Sequence, residues 1–146
     1  MKHLSIAKFR IALLACTLAA TAMASHAYAQ SHTMQANVPF AFHNGSQRLP
    51  AGVYRVEIES SHVILLRGKS RSGFAMANPA IATTPTSVGK LVFTRYGDQY
   101  YLSEIWPQES QTGQRCVKSR EEKEAALAVN RTKTATRELA LSNVPR

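Results

Sequence analysis

Residues 49–66, LPAGVYRVEIESSHVILL, constrain the fold more than any other stretch of the chain. Between 53 and 59, Tyr54, Val56 and Ile58 alternate with Arg55, Glu57 and Glu59. A period of two puts the first set on one side of an extended backbone and the second on the other, the mark of a half-buried strand. Ser60 and Ser61 break the alternation, and His62 opens a second run through Leu66 that is rich in β-branched and large apolar residues. That run suits packing over Tyr54, Val56 and Ile58, so the stretch predicts a β-hairpin. Pro50 fixes φ and Gly52 tolerates turn geometry closed to other residues, and together they punctuate the start of the first strand.

The segments around this hairpin follow the same logic. At 34–42 the even positions are Met34, Ala36, Val38, Phe40 and Phe42, which predicts a long alternating strand; Pro39 faces away from its apolar side and implies an edge or a bulge. Asn44-Gly45 predicts a turn, with alternation resuming through Arg48 and Leu49. Residues 67–73 read as a polar loop, 74–77 as a short strand, and 78–89, with Pro79, Pro85 and Gly89, as an extended excursion across the fold. A second hairpin runs from Lys90 through the turn Tyr96-Gly97-Asp98-Gln99 and back to Trp106, with Leu91 and Phe93 on one face and Val92 on the other. Its rings, Phe93, Tyr96, Tyr100, Tyr101 and Trp106, are the expected core.

Beyond Gly113 the pattern changes. Ser119-Arg120-Glu121-Glu122 fits a capping box, with acidic residues where a helix N-terminus favours negative charge. Alanine-rich sequence then carries a helix to about Val129, with an extension to Leu141 open; its apolar stripe of small residues leaves it a partly mobile tail. The expected fold class is all-β: a small antiparallel β-sandwich or barrel of six to seven strands with a C-terminal α-helix. No period of 20–50 residues recurs, so a repeat architecture is not expected.

The first residues read as an address and not as part of this fold. Lys2, Lys8 and Arg10 precede an apolar, small-residue run, and Ala27-Tyr28-Ala29 supplies the small residues a signal peptidase reads. The expected cleavage lies between Ala29 and Gln30, giving a signal peptide at 1–29, a β-domain at 30–114 and a helical basic tail at 115–146. Thr17, Thr21, Ser25 and His26 interrupt the run, which falls short of the ~20 strongly apolar residues of a spanning helix, so no transmembrane span is expected after cleavage. A lipoprotein acylated at Cys16 is the other reading of this segment. The expected location is secreted or periplasmic.

Charge and cysteine content narrow the chemistry. The chain carries 18 basic and 9 acidic residues; three basic and no acidic residues leave with the signal, so the remainder has 15 against nine, a net +6. The tail at 115–146 holds eight basic and four acidic side chains, more than half of that excess. The basic residues Arg67, Lys69, Arg71, Arg131, Lys133 and Arg137 are the candidate anion-binding positions, suited to an anionic envelope polymer. Another protein is the alternative partner, and nucleic acid is disfavoured. With Cys16 in the signal, Cys116 stands alone, which excludes an intramolecular disulfide framework. Three fates stay open for it: burial as a small apolar residue, an intermolecular link, or a reactive thiol.

Catalytic constellations are weak. His32, His43 and His62 lack the helical spacing of a zinc motif, and no metal or cofactor is expected. Glu57 and Glu59 share a strand face at roughly 6–7 Å, a spacing open to acid–base work, but Arg55 beside them favours a solvated face. No serine sits in a nucleophile elbow and no glycine-rich phosphate loop follows a strand.

Two segments carry a resemblance. VPFAFHNGSQRLPAGVY at 38–54, together with GKLVFTRYGD at 89–98 and Tyr100-Tyr101-Leu102-Ser103, resembles a group of small secreted proteins of soil bacteria that has no assigned function, over most of residues 34–125. The LPAG-x-Y element is also similar to the PG-x-Y strand start of transthyretin-like and carboxypeptidase-regulatory β-sandwiches. These likenesses imply a secreted β-domain and no particular activity. The expected function is therefore an exported, non-catalytic β-domain acting by binding or envelope association. A secreted hydrolase or other enzyme and a small apolar-ligand carrier are the alternatives. A cleft gathering Glu57, Glu59 and a histidine would mark the enzyme. An exposed aromatic patch would mark the binding module.

Overall fold

A computed structural model describes residues 33–60, 62–129 and 134–143. Those residues form eleven strands and one helix: β1 (Met34–Val38), β2 (Phe42–Asn44), β3 (Gln47–Leu49), β4 (Gly52–Ser60), β5 (Val63–Gly68), β6 (Ser72–Ile81), β7 (Lys90–Tyr96), β8 (Gln99–Trp106), β9 (Thr112–Cys116), α1 (Arg120–Ala128), β10 (Thr134–Ala140) and β11 (Ser142–Asn143). The fold is all-β with one short helix. Strand order along the sheet is β10-β7-β8-β9-β6-β5-β4-β1-β11, and the β2–β3 hairpin joins it through a parallel bridge from His43 to Tyr101 on β8.

The two hairpins form where the alternation places them. β4 pairs with β5, Val56 opposite Leu66 and Ile58 opposite Ile64, with a bulge between Ile58 and Ser60 where the serines interrupt the pattern. Tyr54, Val56, Ile64 and Leu66 are buried. The Tyr54 hydroxyl donates to the Pro50 carbonyl at 2.7 Å, so the LPAG-x-Y element ties its own tyrosine back over its turn. β7 and β8 meet at a two-residue turn in which Gly97 takes a left-handed φ of 61°, a conformation hindered for residues with a Cβ. Arg95 clasps that turn, donating from Nε to the Gly97 carbonyl at 2.6 Å and from Nη2 to Asp98 Oδ1 at 3.0 Å.

The strand count exceeds the six to seven expected, and the elements depart from the expected pattern in three ways. Pro39 interrupts the alternation at 34–42, leaving β1 and β2 as separate strands. The strand predicted at 74–77 extends to ten residues as β6, straight through Pro79. The Ala77 N–H bonds to the His62 carbonyl on the β5 side, and alternation turns the Pro79 nitrogen the same way, where its β5 partner has ended and no ladder bond is lost. Finally, the tail is not helical throughout: α1 ends at Ala128, and residues 134–140 form β10 against the full length of β7, from Thr134 opposite Tyr96 to Ala140 opposite Lys90. β9 also runs past the expected domain end at 114. Among the described residues no helix is long and apolar enough to cross a membrane.

Two features of the strand order bear on where the core lies. β6 pairs with β5 over 72–76 and with β9 over 77–81. β10 and β11, at opposite ends of the strand order, are consecutive in the chain, separated by Leu141, which is buried and donates its N–H to the Gly89 carbonyl. The core inside gathers Phe42, Tyr54, Val56, Leu66, Leu91, Phe93, Leu102 and Ile105. Phe42 meets Tyr54 and Phe93 edge-on with ring centroids 5.3 and 5.2 Å apart. Burying each such side chain contributes about 1.5–3 kcal/mol. Of the expected core rings, Phe93, Tyr96, Tyr101 and Trp106 are buried; Tyr100 is half-buried, stacked on Phe40. Trp106 belongs to a separate small cluster with Ala80 and Val92, and it lies so close over Gly113 that a Cβ there would clash with its ring.

Candidate binding surfaces

The first surface arises from the way β6 is written. In SGFAMA, residues 72–77, the small residues Gly73, Ala75 and Ala77 face inward and the large ones, Phe74 and Met76, face outward. The inner side of β6 is closely packed: a Cβ on Gly73 would lie 2.8 Å from Gln47 Oε1 and 3.2 Å from Leu49 Cδ1. Phe74 is 58% exposed and Met76 53%. Leu65 lies opposite Phe74 and Val63 opposite Met76, while Val117, whose N–H bonds to the Met76 carbonyl, extends the row. Glu57, opposite Leu65, holds the rim and accepts from Arg67 Nε at 2.9 Å. The result is an apolar patch on a sheet face with charges at its border, the anatomy of a protein-docking surface.

The second surface is basic. Arg48 on β3 and Arg71 in the β5–β6 turn line one open cleft of about 420 Å³ with Ser70, Ala41, Leu49 and Pro50. Arg71 donates from Nη1 to the Arg48 carbonyl at 3.2 Å. Arg48 sits opposite His43 on the β2–β3 hairpin. Of the predicted anion-binding residues among those described, only Arg71 lines this cleft. Arg67 is engaged by Glu57, and Arg137 lies over the Phe40 ring at 4.8 Å. Lys69 is exposed in the same turn as Arg71. Arg131 and Lys133, the cleavage pair Ala29 and Gln30, and His32 lie outside the described residues.

A third group of polar side chains is structural in character. The His43 ring stacks on Tyr101 at 4.7 Å, with its Nδ1 buried and without a partner among the described residues. Burial first, and then the Arg48 charge, hold its pKa below the ordinary histidine value, against a smaller upward pull from Glu121. The serine half of the capping box forms: Ser119 Oγ accepts from the Glu122 N–H at 3.1 Å. Glu122 itself is buried, and that burial pushes its carboxyl upward, with Lys118 opposing. Lys118 donates to the Tyr96 hydroxyl at 3.0 Å. Cys116 is buried, its thiol pushed up to about 12 by burial and then by Glu122 and Glu104.

A fourth feature, a cleft of about 540 Å³ under residues 82–88, is edged by Trp106, Glu104, Lys90 and Glu138. Its charges satisfy one another. Glu104 accepts from Trp106 Nε1 at 2.8 Å and from Arg115 at 2.9 Å, and Lys90 reaches Glu138 at 2.8 Å.

Sequence reasoning missed the outer patch because a short strand at 74–77 does not report which of its two sides meets water, and it missed Arg48 because nothing in the sequence brings β3 beside the β5–β6 turn. Among the described residues no group of three or more His, Cys, Asp or Glu side chains could hold a metal ion. No protein family, curated protein or solved structure matches the chain.

Proposed function

We propose that this chain is an exported, non-catalytic β-domain that acts by docking on another envelope protein through its outer β5–β6 face. The observation that carries the reading is the inversion on β6, with Phe74 and Met76 outward and Gly73 and Ala75 inward. Two large apolar side chains set in water on a rigid strand cost solubility and contribute little to the core, so a partner that covers them supplies their stabilisation. The Glu57–Arg67 pair at the rim supplies polar complementarity around that apolar centre.

Export to the periplasm or beyond rests on the basic, apolar and Ala-Tyr-Ala elements of residues 1–29, and kinship with the secreted proteins of soil bacteria rests on the two motif segments. We read the folded body as a small barrel. That reading is supported by β10 and β11 adjoining at Leu141 from opposite ends of the strand order, and by β6 dividing its pairing between β5 and β9.

Cell fractionation of the double variant Phe74→Lys, Met76→Lys tests the docking. The variant is expected to leave the envelope fraction for the soluble one, whereas Leu127→Lys, a change at an exposed apolar residue of α1, is expected to leave the distribution unaltered. Equal release by both changes, or by neither, would refute the reading.

A further inference from the structure

We infer that the cleft between β3 and the β5–β6 turn is a binding site for one oxyanion group, a phosphate or a carboxylate, held by Arg48 and Arg71 with the hydroxyl of Ser70. Four of the eight arginines among the described residues are each held by a carboxylate. Arg67 holds Glu57, Arg95 holds Asp98, Arg115 holds Glu104 and Arg120 holds Glu124, all at 2.9–3.0 Å. Arg48 and Arg71 have no carboxylate partner among the described residues, yet they line the same concavity. Two arginines lining one concavity offer an oxyanion two charge-assisted contacts.

The cleft is also partly organised in advance. Arg71 is anchored to the Arg48 carbonyl through Nη1, which fixes its long side chain along β3 and leaves its other N–H donors available. Ala41, Leu49 and Pro50 complete the wall of the concavity. The Arg71 charge is felt at the neighbouring Tyr54, where it opposes the upward effect of burial on the phenol. At about 420 Å³ and open to solvent, the site fits a single charged group on a larger molecule, such as one unit of an anionic polymer. It is separate from the apolar face and stands whether or not that face docks a protein.

The test is a titration of the purified ¹⁵N-labelled protein with inorganic phosphate and, separately, with acetate. Shifts are read at the Ser70 and Arg71 amides and at the Arg48 and Arg71 Nε–H groups. Saturable shifts confined to these positions are expected, weakened about tenfold or more in R48Q/R71Q and less in R48K/R71K, which keeps the charge and loses the planar fork. Saturation by phosphate alone assigns the site to phosphate; saturation by both extends it to carboxylates. Linear shifts spread over all surface arginines, or binding that survives in R48Q/R71Q, overturn the inference. Should that double variant lose its amide dispersion, single R48Q decides by the same criterion. F74K/M76K is expected to bind phosphate unchanged.

Discussion

Truncating one buried and one exposed phenylalanine measures which side of the sheet is the interior. Phe93 is fully buried, its ring edge-on to Phe40 at 5.3 Å and to Phe42 at 5.2 Å. Phe93→Ala removes a ring from the centre of this cluster and leaves a cavity its neighbours fill only in part, a cost of about 3–5 kcal/mol. A domain of this size has a total stability on the order of 5–15 kcal/mol, so roughly a fifth of it or more is lost. At roughly 4 °C per kcal/mol the melting temperature falls by about 12–20 °C. Phe74→Ala deletes the same ring where it is 58% exposed, and the expected change is within ~0.5 kcal/mol, or about 2 °C. Thermal unfolding followed by circular dichroism, with urea midpoints at an unchanged m-value, reads both. Equal losses from the two truncations, or a larger loss from Phe74→Ala, would falsify the assignment of inner and outer faces.

Three further outcomes follow from the buried polar groups. The folded pKa of His43 lies below its ordinary 6.5, so its stabilising effect is complete above about that pH and is lost as pH falls toward the folded value. The unfolding midpoint is expected to drop on acidification from about pH 8 to 5, and the drop should shrink in His43→Asn. Glu122 behaves in the opposite sense, since its folded pKa lies above 4.5: its contribution is complete below about 4.5 and is lost as pH rises through the folded value. Glu122→Gln is therefore expected to raise the urea midpoint near pH 8 and to leave it unchanged near pH 4. Cys116, buried and with a thiol pushed up to about 12, is expected to resist iodoacetamide in the folded protein and to react stoichiometrically in urea, as mass spectrometry would show.

The elements most legible in the sequence are those whose local pattern and tertiary role agree. Tyr54, Val56 and Ile58 alternate and face inward because one side of β4 is wet and the other is not. Gly97 and Asp98 turn the chain because Tyr96 and Gln99 must meet, and Arg95 then clasps the turn. Ser119 caps α1 through a bond within its own first turn. Legibility fails where a distant partner decides. Residues 134–140, TATRELA, contain good helix formers, and all but Leu139 are exposed; their strand state comes from the ladder with β7, some 40 residues away in sequence, which no local pattern reports. The same holds for β6. Alternation in SGFAMA fixes which residues share a side, but which side faces inward depends on packing against distant strands, such as Leu49 of β3 beside Gly73. The arginine cleft was half visible for this reason: Arg71 stood out in a basic loop, and Arg48 joined it only through the fold.

A photo-crosslinking residue placed at position 74 in the exporting cell tests the central claim most directly, with position 127 on α1 as the exposed comparison. The account predicts one discrete protein adduct from position 74, suppressed when Met76 is replaced by Lys, and none from position 127. Equal adducts from both positions, or none from position 74, would contradict it.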